Sequence, residues 1–70
     1  MNKNALRAKI ALHGDNYQTL AKALNMTTVS LSRKINGKRP FQQFEIQKII
    51  DLYNLTADEV QSIFFTQNVS

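Results

Sequence analysis

An all-α fold of five short helices is what this sequence predicts, and three observations carry the prediction. Apolar residues recur three and four positions apart from Leu6 to Ile63, the spacing of one helix face. Helix-start and helix-stop residues punctuate that pattern at regular intervals. No segment alternates apolar and polar residues for long enough to read as a strand.

The first helix runs roughly from Lys3 to His13. Leu6 and Ile10 stand one turn apart, with Ala5, Ala8 and Leu12 nearby, and Gly14 follows as a residue able to take the left-handed conformation. Asp15 or Asn16 then caps a second helix. Asp15 and Gln18, three apart, have the spacing of a capping box, and Leu20, Ala21 and Leu24 form the inner stripe. After the break at Asn25-Met26, Thr27 is a good N-cap for a third helix, which carries Leu31 and Ile35 on one face and stops at Asn36-Gly37. Lys38 to Phe41 form a loop, because Pro40 disfavours helix at Arg39. A fourth helix covers Gln42 to Tyr53, with Phe44, Ile46, Ile49, Ile50 and Tyr53 available for burial. Thr56 and Glu59 repeat the capping-box spacing and start a fifth helix that ends near Phe65, leaving residues 66–70 as a loose tail.

Seventy residues predict a single domain, residues 1–70, with a thin core. The chain has no cysteine, hence no disulfide and no thiolate metal site, which fits a reducing cytoplasm. No apolar run is long enough to span a membrane, and Lys9 interrupts the apolar part of the basic N-terminus, so neither a span nor a signal peptide is expected. His13 is the only histidine, at a helix end where its charged form favours the dipole; it has no partner with which to bind a metal. Gly14 and Gly37 are too far apart for a phosphate loop, and no nucleophile has a base in a recognisable motif. Neither catalysis nor a cofactor is predicted.

The net charge of +4 conceals a division. Residues 1–39 hold eight Lys/Arg and the single acid Asp15, giving +7; residues 40–70 hold Lys48 against Glu45, Asp51, Asp58 and Glu59, giving −3. A polyanion facing the first half would explain the split, and a scattered solvated surface is the plainer alternative.

The stretch from Tyr17 to Asn36 meets the physical needs of a helix-turn-helix. Ala21 is small enough for close helix approach. Leu20, Leu24, Met26 and Leu31 anchor the pair, and Thr28, Val29, Ser32 and Arg33 leave the second helix a short polar face fit for a major groove. The segments YQTLAKALNMTTVSLSRKING, SRKINGKRPF and FEIQKI resemble the lambdoid-phage repressor and Cro family within the XRE-like regulators, especially small prophage repressors of Gram-positive bacteria. The likeness covers about residues 3–65 and implies a compact five-helix phage-repressor-like domain in a bacterial cytoplasm, bound to a double-stranded DNA operator.

The resemblance also implies residue roles. Thr27, Thr28, Val29, Ser32 and Arg33 would read base edges, and Tyr17, Gln18, Lys34, Asn36, Lys38 and Arg39 would hold phosphates. Two positions depart from the family. Asn25 replaces the usual turn glycine, which it can do because asparagine tolerates positive φ. Lys34 stands where a late apolar anchor is common, which leaves open whether Arg33 or Lys34 faces outward.

Each residue also has a plainer reading. Thr27 can be only a cap, Thr28 and Ser32 only solvated, Val29 a core residue, and Arg33 half of a surface ion pair. Phe64 and Phe65 point about 100° apart on a helix, so both cannot face one small core. With Val60, Ile63 and Phe64 inward, Phe65 and Val69 remain for a weak homodimer formed on DNA, unless Phe65 folds back on the first helix. Two rival readings are a protein-interaction module acting on a partner repressor and nonspecific nucleic-acid packaging.

Overall fold

Four threonine or asparagine hydroxyl and amide oxygens, on Asn2, Asn16, Thr27 and Thr56, cap the starts of helices by accepting the backbone N–H three residues on. Such caps satisfy donors that the helix itself leaves unpaired. A computed structural model describes residues 1–65, and its elements in order are α1 (Lys3–Leu12), α2 (Tyr17–Ala23), α3 (Thr28–Ile35), α4 (Gln43–Tyr53) and α5 (Ala57–Phe64). The fold is all-α, with no strand among the described residues. None of the described helices is long and apolar enough to cross a membrane.

Helix ends follow the local chemistry closely. At the end of α2, Asn25 takes φ 58°, its N–H donates to the Lys22 carbonyl (3.1 Å), and the Met26 N–H donates to the Ala21 carbonyl (2.9 Å). Asparagine thus makes the left-handed stop that glycine makes after α3, where Gly37 has φ +79° and the Lys38 N–H reaches the Arg33 carbonyl (2.8 Å).

The start of α2 departs from expectation. The capping box is built by Asn16 and Thr19, with Asn16 Oδ1 accepting the Thr19 N–H and Thr19 Oγ1 accepting the Asn16 N–H, both at 2.9 Å. Asp15 and Gln18 do not form one. Asp15 lies one residue too early, and its carboxylate accepts instead from the Thr19 hydroxyl (3.1 Å) and from the Tyr53 hydroxyl (2.9 Å). Burial, then the hydrogen bond and the charge of Asp15, push the Tyr53 phenol above its ordinary range, so it stays a donor at physiological pH. The His13 ring stacks on Tyr53 with centroids 4.6 Å apart, joining the end of α1 to the end of α4.

The core is small and comes from every helix. Leu6 and Ile10, Leu20 and Leu24, Leu31 and Ile35, Ile49 and Tyr53, and Ile63 are all buried, with Val60 and Phe64 packed partly against them. Phe44, expected inside, is 69% exposed. The inner face of α4 is the row Glu45, Ile49 and Tyr53, and Phe44 lies about 100° from its first member. Leu12 is exposed for the same reason, two positions beyond Ile10.

α1 packs on α5, with the Asn2 N–H donating to the Ile63 carbonyl (2.8 Å) and Lys9 paired with Glu59. The Lys9 ammonium, then the Thr56 N–H, hold the Glu59 carboxyl below the usual carboxylate range. A depressed native value means that the stabilisation is present above the unfolded value and is lost as pH falls through the native one. Glu59→Gln keeps an oxygen for the Thr56 N–H. It should therefore melt below the wild type at neutral pH, with the gap closing in acid. Calorimetric melts at several pH values check this, and a gap that persists below the carboxylate range would assign the loss to packing.

Candidate nucleic-acid interface

α2 and α3 pack against each other through Leu20, Ala21 and Leu31, joined by the turn around Asn25. Two packed helices around a short turn are what a helix-turn-helix requires. With about 100° between successive residues, Leu31 and Ile35 lie about 40° apart on α3, and so do Val29 and Arg33 on the other side. Leu31 and Ile35 are 0% and 2% exposed, whereas Val29 is 60% exposed and Arg33 is also in solvent. Val29 is therefore not a core residue. The roll of α3 is settled by the same contrast: Arg33 faces out and Lys34 faces inward.

Lys34 does not stand where a phosphate contact was expected. Its ammonium lies 2.6 Å from both carboxylate oxygens of the buried Glu45, and its side chain is 13% exposed. The physical reason is rotation. Lys34 lies about 100° from Arg33, on the flank of α3 that meets α4. Glu45 was missed as its partner, although Gln42 and Glu45 show capping-box spacing in the sequence, and the Glu45 carboxylate does accept the Gln42 N–H (2.7 Å).

The other expected residues divide into three groups. Thr28 is exposed at the start of α3. Thr27 is also exposed, but its hydroxyl accepts the Ser30 N–H (3.1 Å) and donates its one proton to Ser30 Oγ (3.0 Å), so it acts first as the cap. Ser32 is half-buried, and its Oγ accepts from Asn36 Nδ2 (3.3 Å), so these two steady the end of α3. In the loop, Asn36, Lys38 and Arg39 are exposed. On α2, Gln18 is exposed, while Tyr17 is half-buried against the core.

A groove of about 470 Å³ runs between α2 and α3, lined by Gln18, Lys22, Asn25, Met26, Thr27 and Thr28 together with Ala21. Lys22 was absent from the expected contacts. Its signal is the position four residues after Gln18, which puts both on one exposed face of α2.

Ion pairing sharpens the charge division. Of the eight cations before Pro40, Lys9 and Lys34 are held by Glu59 and Glu45, while Arg33, Lys38 and Arg39 make no ion pair among the described residues. Three cations thus stand exposed on α3 and the loop that follows it. Among the described residues no cluster of His, Cys, Asp and Glu could hold a metal.

A second groove, about 450 Å³, lies beyond the loop. Met1, Phe41, Ile46, Phe64 and Phe65 give it an apolar floor, and Lys38 and Arg39 stand at its edge. Phe41 and Phe64 meet edge to face with centroids 5.8 Å apart, and Phe65 is 56% exposed, outside the buried core. Val69 lies outside the described residues.

The packed α2–α3 pair and the exposed cations of α3 and the following loop give this small helical domain a polar, cationic surface. Over residues 4–67 the sequence matches the family described as Protein of unknown function (DUF739), and the chain belongs to that family. No curated protein and no solved structure matches it.

Proposed function

We propose that this protein is a sequence-specific, double-stranded DNA-binding regulator of transcription, of the phage or prophage repressor and Cro-like kind that its motif resembles. The observation that carries the reading is the arrangement of α3. Leu31 and Ile35 anchor it inward, Val29 and Arg33 face solvent together, and the exposed Lys38 and Arg39 follow immediately. In this reading α3 enters the major groove, Arg33 reads a guanine, and Thr28 and Val29 meet neighbouring base edges. Gln18, Lys22, Asn36, Lys38 and Arg39 hold the phosphates on either side. The protein does no covalent chemistry and needs no cofactor. Occupying an operator in a bacterial cytoplasm is the whole of its action.

One such helix reads only a few base pairs, so two copies bind two half-sites about 34 Å apart. The apolar groove around Phe65 supplies the symmetric contact. The same groove favours a second reading, in which the chain docks on another repressor and binds DNA weakly itself.

Selection of bound fragments from a random duplex pool tests the proposal, and a two-fold symmetric consensus is the expected result. If about six phosphates are contacted per dimer, log K should fall against log salt with a slope near −5. Binding that ignores salt, or a pool without consensus, would favour the protein-docking reading.

A further inference from the structure

We infer that Lys34 and Glu45 form a clamp that positions the DNA-facing parts of the protein; neither touches DNA. The inference rests on the DNA-binding reading and deepens it. Glu45 is 5% exposed, and its carboxylate takes the Lys34 ammonium on both oxygens at 2.6 Å and the Gln42 N–H on one at 2.7 Å. Three chain positions therefore meet on one carboxylate: the last turn of α3, the residue that starts α4, and the first turn of α4 itself.

The loop between those positions is the one that carries Asn36, Lys38 and Arg39. Its beginning is tied to α3, where the Lys38 and Arg39 N–H groups both reach the Arg33 carbonyl (2.8 and 3.4 Å). Its end is tied by Glu45 to Gln42. The Lys34–Glu45 pair joins the two ends and closes the segment into a ring. It also fixes the roll of α3. Lys34 and Arg33 are neighbours on the helix, so holding one inward aims the other outward.

An apolar pair would fill the same space but would tolerate sliding. Charge-assisted hydrogen bonds at these distances do not, because they weaken steeply with distance and angle. Buried ion pairs contribute little net stability against apolar residues of similar volume, and their best attested use is to specify register. A recognition surface must be held within about 0.5 Å to discriminate, so register is the property at stake.

The test compares three variants with the wild type. Lys34→Met removes the ammonium. Lys34→Met/Glu45→Gln removes both charges, keeps an oxygen for the Gln42 N–H, and leaves no unpaired buried charge, so it guards against simple unfolding. Lys34→Arg keeps a cation that can bond both carboxylate oxygens. NMR order parameters of the backbone amides of residues 36–39, 41 and 42, measured without DNA, should fall from about 0.85 to below about 0.6 in the two variants that lack the ammonium, while α1 and α5 keep theirs. The ratio of operator to random-duplex affinity should fall about tenfold at an unchanged salt slope. Lys34→Arg should restore both.

Wild-type loop order and wild-type discrimination in the double variant overturn the clamp. An equal loss on every sequence, with a salt slope shallower by about two per dimer, overturns it differently by making Lys34 a phosphate contact. A wild-type protein without sequence preference overturns the DNA-binding reading instead, and the loop order parameters then decide the clamp alone.

Discussion

Arg33→Ala should weaken binding to a two-half-site operator by roughly 30- to 10⁴-fold and leave its affinity for random duplex nearly unchanged. A bidentate contact between arginine and guanine is worth about 1–3 kcal/mol against the wrong base, and a dimer makes it twice. At about 1.4 kcal/mol per factor of ten, that gives the stated range. The fold should not suffer. Arg33 is exposed and makes no ion pair among the described residues, and changes at such positions cost within about 0.5 kcal/mol. Lys38→Ala provides the contrast. It should weaken all sequences alike and flatten the salt slope by about one unit per monomer. Fluorescence anisotropy with operator and scrambled duplexes at matched salt checks both variants. The assignment of Arg33 fails if alanine there costs the two duplexes the same factor.

Phe65→Ser should convert steep, paired filling of the operator into independent filling of two half-sites. A Hill coefficient near 2 should drop to about 1, two sites being its upper bound. Phe65 is 56% exposed beside the Phe41–Phe64 pair, and an aromatic ring in that position gains from burial against a symmetry mate. Lys38 and Arg39 edge the same groove. Two copies meeting there bring like charges together, which opposes the free dimer, and DNA phosphates between them relieve the repulsion. Self-association should therefore be weak in sedimentation and strong on the operator. The circular-dichroism spectrum of Phe65→Ser should stay helical, because Ile63 and Phe64 carry the inner stripe of α5. Wild-type cooperativity in this variant would falsify the contact.

These two residues show how unevenly the site was legible in the sequence. The inward stripe of Leu31 and Ile35 follows from spacing within one helix, whereas Val29, open between groove and core in the sequence, is placed outside only by its exposure in the fold. The choice between Arg33 and Lys34 does not. The two are adjacent cations at the edge of the apolar stripe, and only a partner on another helix distinguishes them. That partner, Glu45, is eleven residues further along the chain. Glu45 itself reads as a capping residue, and nothing in its own neighbourhood announces that it also carries a buried ion pair. Phe65 was separated from Phe64 by helical angle alone, whereas its place beside Phe41 required α5 to lie near the loop after α3.

The sequence by itself determined the number of helices, their order and nearly all of their ends. Those features rest on interactions that reach no more than about five residues along the chain. Thr27 accepts the Ser30 N–H, Thr56 pairs with Glu59, and positive φ is open to Gly37 because it lacks a Cβ and to Asn25 because asparagine tolerates it. Tertiary structure alone decided what reaches across. It directed Asp15 to the Tyr53 hydroxyl, 38 residues away, instead of to a capping box, and it left Phe44 in solvent by turning Glu45, Ile49 and Tyr53 inward. It also buried Lys34 against Glu45. A helical period fixes which residues share a face, but the roll of one helix against another depends on partners that a local pattern does not contain.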